Sequence, residues 1–64
     1  MPTTIIEGPP LPMNKKRQLV SALTDIISRS YEWPAENIIV IIHENPDGNV
    51  ARGGVLRSDT QLEK

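Results

Sequence analysis

Pro2 directly follows the initiator methionine, and removal of Met1 would turn its nitrogen into a secondary amine at the chain terminus. An ordinary α-amino group titrates near ~8, and burial among apolar residues lowers that value, so such an amine can stand as a free base at neutral pH. A free base beside a reactive carbon can take a proton from one atom and return it to another. Taken alone, Met-Pro is also a common way to begin a chain. Arg52 is the second candidate. It stands beside Gly53 and Gly54, which allow close backbone approach, and a guanidinium binds a carboxylate bidentately. A solvated loop arginine is the competing reading. Lys15, Lys16 and Arg17 place three cations at the start of what reads as a helix, where the dipole disfavours positive charge. A compensating anion is one reading of them, and a solvated face costing only tenths of a kcal/mol is the other. His43 is the only histidine and cysteine is absent, so no structural metal cluster and no disulfide is expected. At a strand end, His43 reads as a packing or hydrogen-bonding residue rather than a second acid/base.

These residues need elements to position them. Thr3 to Ile6 is β-branched throughout and stops at Gly8-Pro9-Pro10, which predicts a short first strand over Thr3–Ile6. Pro12 fits the first turn of a helix, and the stretch from Met13 to Trp33 holds neither Gly nor Pro. Within it Leu19, Val20, Leu23, Ile26, Ile27 and Tyr31 recur at intervals of three and four and form one apolar stripe. Pro34 ends that helix at or near Trp33. The run Ile38 to His43 opens with five consecutive β-branched aliphatics and does not alternate with polar residues, the pattern of a strand covered on both faces. Strand, helix and strand then make a βαβ unit whose strands run parallel through a right-handed crossover. Residues 45–49 are dense in turn formers, and Val50 to Leu56 reads as a hairpin or clasp around the Gly pair. The tail from Ser58 to Lys64 is polar and aperiodic, so it is expected to fray or to reach over a neighbour.

With 64 residues the chain makes one domain, 1–64, and buries a smaller share of its surface than a longer chain would. Oligomerisation is the remaining supplement to its core. One helix covers one sheet face, so the second face of the β-rich run also asks for another subunit. A net charge of −1 gives no field to gather nucleic acid or an anionic membrane. The uncharged run near the N-terminus is too short to span a bilayer and lacks the basic start of a secretory signal, so a cytoplasmic location is expected. Tyr31 and Trp33, at the helix end, read as interface or core residues.

Met1-Pro2, Gly8, Ile26-Ile27-Ser28-Arg29-Ser30, Pro34, Val40-Ile41-Ile42-His43-Glu44 and Gly53-Gly54 together resemble the 4-oxalocrotonate tautomerase family across almost the whole chain. The resemblance implies an α/β (α+β) fold: a βαβ subunit with a short C-terminal hairpin, in a homohexamer of dimers that share sheets and are arranged threefold. It implies enol–keto interconversion of a 2-oxo acid without a cofactor, with Pro2 as general acid/base. Relatives usually carry Gly-Arg-Ser after the first strand, a further arginine that aligns with Ile39, and an aromatic residue that aligns with Val50. Here Pro9 follows Gly8, so two charges and a ring are missing and a dicarboxylate substrate would lack its clamps. Arg52 aligns with a pocket-lining clasp position and is the expected replacement, with Ile39 and Val50 as apolar substrate contacts. Two other readings accompany this one. In the first, Pro2 serves as an acid or imine-forming nucleophile for hydration, dehalogenation or decarboxylation, with Glu7 or Glu44 near the pocket. In the second, the protein is a noncatalytic oligomer of the same fold.

Overall fold

The computed structural model describes residues 1–60. Strand β1 runs Thr3–Gly8, helix α1 Met13–Tyr31 and strand β2 Ile39–Glu44, and a small hairpin of β3 (Ala51–Arg52) and β4 (Val55–Leu56) follows. Strands β1 and β2 pair in parallel with Thr3 opposite Ile39 and Gly8 opposite Glu44, the βαβ unit expected from the sequence. β1 is two residues longer than the β-branched run because β2 carries the ladder past it, and the N–H of Asn45 still donates to the Gly8 carbonyl at 2.7 Å. β2 starts one residue later than the run, since Ile38 closes a 3-10 turn over Ala35–Asn37.

Pro12 is the N-cap, with extended backbone and its carbonyl accepting the N–H groups of Lys15 and Lys16, rather than a first-turn residue. At the other end the helix stops at Tyr31, two residues short of the expected Trp33. Glu32 adopts the left-handed conformation at φ 59°, and the N–H groups of Glu32 and Trp33 both donate to the Ser28 carbonyl. The chain must leave the helix before Trp33 because the residue ahead of Pro34 is held out of the α region.

Alternation along the ladder sorts the sheet into two faces. Thr4, Ile6, Val40 and Ile42 are half-buried on one face, while Ile5 (56% exposed) and Ile41 (38%) stand on the other. On the helix, Lys16, Leu19, Val20, Leu23, Thr24, Ile27 and Ser28 are half-buried. Ile26 and Tyr31 belong to the sequence stripe but are exposed, as is Trp33. Ile26 lies ~100° around the helix from Ile27, so one narrow sheet cannot cover both. Among the described residues none is buried. The chain presents 5039 Å² to solvent, whereas a folded monomer of 7.1 kDa is expected to present about 4,100 Å².

The Gly pair has a specific task. Gly53 and Gly54 take φ of 63° and 83°, the two left-handed positions of a type I′ turn, which closes the two-residue hairpin between Arg52 and Val55. Gly54→Ala is expected to cost about 1–2 kcal/mol, since an L side chain is strained there. A lower urea midpoint at fixed protein concentration is the readout.

The tail begins in order: Arg57–Asp59 forms a 3-10 turn, and the hydroxyl of Thr60 donates to the Arg57 carbonyl at 2.9 Å. The rest of the expected frayed tail, residues 61–64, lies outside the described residues. No helix among the described residues is long and apolar enough to cross a membrane.

Candidate active site

Pro2 is half-buried at the head of β1, where its carbonyl accepts the Ile39 N–H at 3.0 Å. That bond begins the ladder and fixes the Pro2 backbone against the start of β2, so Pro2 and Ile39 come together. Nothing on the Pro2 nitrogen is needed by the ladder, because proline has no N–H to give.

Val50 and Arg52 are elsewhere. Six strand residues at about 3.3 Å each separate the Pro2 end of the sheet from the Gly8 end, a span of roughly 20 Å. Val50 lines an open cleft of about 300 Å³ at the Gly8 end, walled by Gly8 and Pro9. Glu7, Asn45, Asp47 and Arg57 supply the cleft's polar rim. Arg52 is exposed on β3 and is not part of that lining. One chain therefore unites Pro2 with Ile39 but holds both away from Val50 and Arg52.

The cleft's polar groups are tied to one another. The Asn45 amide donates to Glu7 Oε1 at 2.8 Å, and His43 Nδ1 lies 2.7 Å from Glu7 Oε2. The Asn45 hydrogen bond first and the His43 contact second hold the Glu7 carboxyl below its ordinary 4.5. Arg57 was not singled out in the sequence, yet its N–H donates to the Val50 carbonyl at 2.7 Å and its Nε lies 3.5 Å from Asp47 Oδ1. A signal for it exists. A two-residue turn at Gly53-Gly54 pairs Arg52 with Val55 and Ala51 with Leu56, and one further step sets Arg57 opposite Val50.

Glu44 lies on the helix-covered face and answers the cations of the first helical turns. Its Oε2 is 2.7 Å from Lys16 Nζ and accepts the Leu11 N–H at 3.1 Å, so Lys16 has a defined partner rather than a solvated position. Helix α1 has no acid in its own first turn, and this carboxylate from β2 stands in for one. Lys16 first, then Leu11, keeps the Glu44 carboxyl below its ordinary 4.5. The stabilisation is thus complete above pH 4.5 and is lost as pH falls through the depressed value. Glu44→Gln is expected to flatten that acid limb when the urea midpoint is followed from pH 6 down to about pH 3.

Both Glu7 and Glu44 are at the opposite end of the sheet from Pro2 of the same chain, and each is engaged by its own donors. No group of three or more metal-ligating side chains occurs among the described residues.

Comparison with known proteins agrees with this arrangement of strand, crossover helix, parallel strand and C-terminal hairpin. The tautomerase enzyme family model matches residues 4–60. A probable tautomerase of Listeria innocua is 41% identical over 46 residues, spanning 72% of this chain and 75% of that protein. A solved 4-oxalocrotonate tautomerase homologue superposes with a TM-score of 0.87 at 36% identity, covering 97% of this chain and all of that one. DmpI from Archaeoglobus fulgidus is similar with a TM-score of 0.80 at 40% identity, covering 91% of this chain and all of that one. The chain belongs to the tautomerase enzyme family, among the 4-oxalocrotonate tautomerase homologues.

Proposed function

We propose that this chain is a single-domain subunit of a homo-oligomeric, cofactor-independent tautomerase that interconverts the enol and keto forms of a 2-oxo acid. Pro2, freed by loss of Met1, is its general acid/base. The observation that carries this reading is the anchoring of Pro2 through its carbonyl, which would leave the nitrogen lone pair free at the start of the sheet once Met1 is removed. The neutral amine accepts the enol hydroxyl proton as the enol collapses to the ketone. The resulting ammonium returns a proton to the carbon that was doubly bonded, so the amine is regenerated and nothing is consumed.

Substrate choice follows from the missing clamps. With Pro9 after Gly8 and an aliphatic residue at 39, a substrate with one carboxylate is favoured over a dicarboxylate, whose second charge would be desolvated without a partner. Ile39 and Val50 provide apolar contacts, and a clasp arginine, Arg52 or Arg57, binds the carboxylate. The family precedent supports a hexamer of three dimers in the cytoplasm. Absence of any buried residue among those described supports assembly of some order.

The test is conversion of phenylenolpyruvate and of 2-hydroxymuconate by Met1-free protein. Faster turnover of phenylenolpyruvate, the monocarboxylate, is the expected result. Equal or greater turnover of 2-hydroxymuconate would contradict the substrate reading. No turnover of either would leave a noncatalytic oligomer of the same fold. The reading in which Pro2 acts as an acid beside a water-activating carboxylate has less support, because Glu7 and Glu44 are both occupied.

A further inference from the structure

The sheet face that α1 leaves uncovered ends in a pair of ionisable groups. The parallel register stacks three rows on that face: Thr3 with Ile39, Ile5 with Ile41, and Glu7 with His43. The first two rows are β-branched. The third is polar, with His43 Nδ1 2.7 Å from Glu7 Oε2 and the Asn45 amide 2.8 Å from Glu7 Oε1. In a single chain the pair stands in water, its side chains 52% and 60% exposed, and its charge state is of little consequence.

A second copy of the chain is the occupant that the observations favour for this face. Ile5 and Ile41 are exposed on it, and no residue among those described is buried. The chain also presents roughly 900 Å² more than a folded monomer of its mass is expected to, about what one partner contributes to a stable interface. Glu7 and His43 are each two residues, about 7 Å, along their strand from Ile5 and Ile41. A contact centred on the isoleucines therefore reaches the pair and takes it out of water.

Once covered, the pair's net charge matters. With His43 protonated, opposite charges meet and the pair is neutral as a whole. With the imidazole neutral, its ring N–H can still donate to Glu7, but the carboxylate carries an uncompensated charge into the contact, and each copy brings another. Among the described residues no other cation is paired with Glu7. Lys16 is engaged with Glu44 on the helix-covered face, and Arg57 leans on Asp47 on the cleft side. The Asn45 hydrogen bond, then the His43 contact, hold the Glu7 carboxyl below its ordinary 4.5. It thus stays ionised across the range in which histidine ordinarily changes charge, about pH 5 to 8.

We propose that the Glu7–His43 pair makes self-association through this sheet face pH-dependent, tightest when His43 carries its proton and weaker as the imidazole becomes neutral. The inference rests on the homo-oligomer reading above and deepens it by naming the charge state on which assembly depends. The sign follows from linkage. Assembly favours the protonated imidazole, so the stabilisation is present on the acid side and is lost as pH rises through the imidazole's titration.

Sedimentation velocity over a dilution series at about pH 5.5, 7 and 8.5 tests it on wild type, Glu7→Gln and His43→Gln. Wild type is expected to need about 10-fold more protein to assemble at the highest pH than at the lowest, the effect of a one-unit shift in the imidazole titration on assembly. Glu7→Gln removes the anion and leaves the imidazolium as the uncompensated charge, so its trend reverses and assembly tightens as pH rises. His43→Gln leaves Glu7 charged throughout, so it assembles more weakly than wild type at the lowest pH and loses the wild-type trend. The amine at the chain terminus also titrates in this window, but it lies at the other end of the sheet and is common to all three proteins. Differences between the profiles therefore isolate the pair. Loss of a hydrogen bond alone would weaken both variants equally at every pH, and that result overturns the proposal. So does a wild-type profile that is flat, or a Glu7→Gln profile that keeps the wild-type trend. An assembled protein with a flat profile sinks the pH dependence alone, whereas a wild type that stays monomeric throughout sinks the homo-oligomer reading with it. Neither outcome uses turnover, so the role of Pro2 is judged separately.

Discussion

Replacing Pro2 with alanine is expected to lower kcat/KM for enol-to-keto conversion by about 10²–10⁴-fold while leaving the oligomer intact, the range a positioned general base contributes. Alanine keeps an amine at the terminus, so the loss measures more than the presence of nitrogen. It exchanges a secondary amine for a primary one and removes the ring that restricts φ and packs against the start of the sheet. The Pro2 carbonyl would still accept the Ile39 N–H, and the ladder behind it would be unchanged. Circular dichroism and sedimentation should therefore match wild type. Parallel loss of assembly and activity would show that Pro2 is structural. Full retention of activity would show that the base is elsewhere.

The second large effect is expected from Ile41→Asp. Ile41 sits at the centre of the sheet face that α1 does not cover, on the same face as Ile5 and Ile39. In a chain with no buried residue among those described, that face offers exposed Ile5 and Ile41 to another subunit. A carboxylate placed in such a contact without a partner costs about 3–5 kcal/mol per copy, enough to move an association constant by more than ~10²-fold. Sedimentation should show dissociation at concentrations where wild type stays assembled. Turnover should fall where dissociation reaches lone subunits, which keep Pro2 and the cleft apart. Ser21→Asp, on the exposed helix surface, should change neither. An assembled, active Ile41→Asp protein would mean that this face is not an interface.

Local spacing carried most of the fold. The aliphatic run ending at Ile42, the helix stop ahead of Pro34 and the Gly53-Gly54 turn each depend on neighbours a few residues away, and each gave an element of the right kind and order. Boundaries shifted by one or two residues where tertiary bonds decided them, as at Gly8, which the Asn45 N–H holds in the ladder. The stripe that included Ile26 and Tyr31 was wider than one sheet can cover, and periodicity gives no measure of what is available to cover it. Cross-strand partners were less legible. Lys16 meets Glu44, and Glu7 meets both His43 and Asn45, across separations that only the parallel register of β1 and β2 defines. Arg57 entered the cleft by the same route, through hairpin register rather than through any motif. Pro2 is singled out by residue type and position alone, and the structure adds its half-buried place at the head of β1 against Ile39.

The most direct test of Pro2 as the base is a titration of its nitrogen, followed by NMR on protein labelled with ¹⁵N-proline. A secondary amine that titrates below ~8 is the expected result, with the same midpoint limiting kcat/KM for phenylenolpyruvate on the acid side. An amide nitrogen that shows no titration between about pH 5 and 10, as retention of Met1 would give, would contradict it, as would an amine still protonated where turnover is fastest.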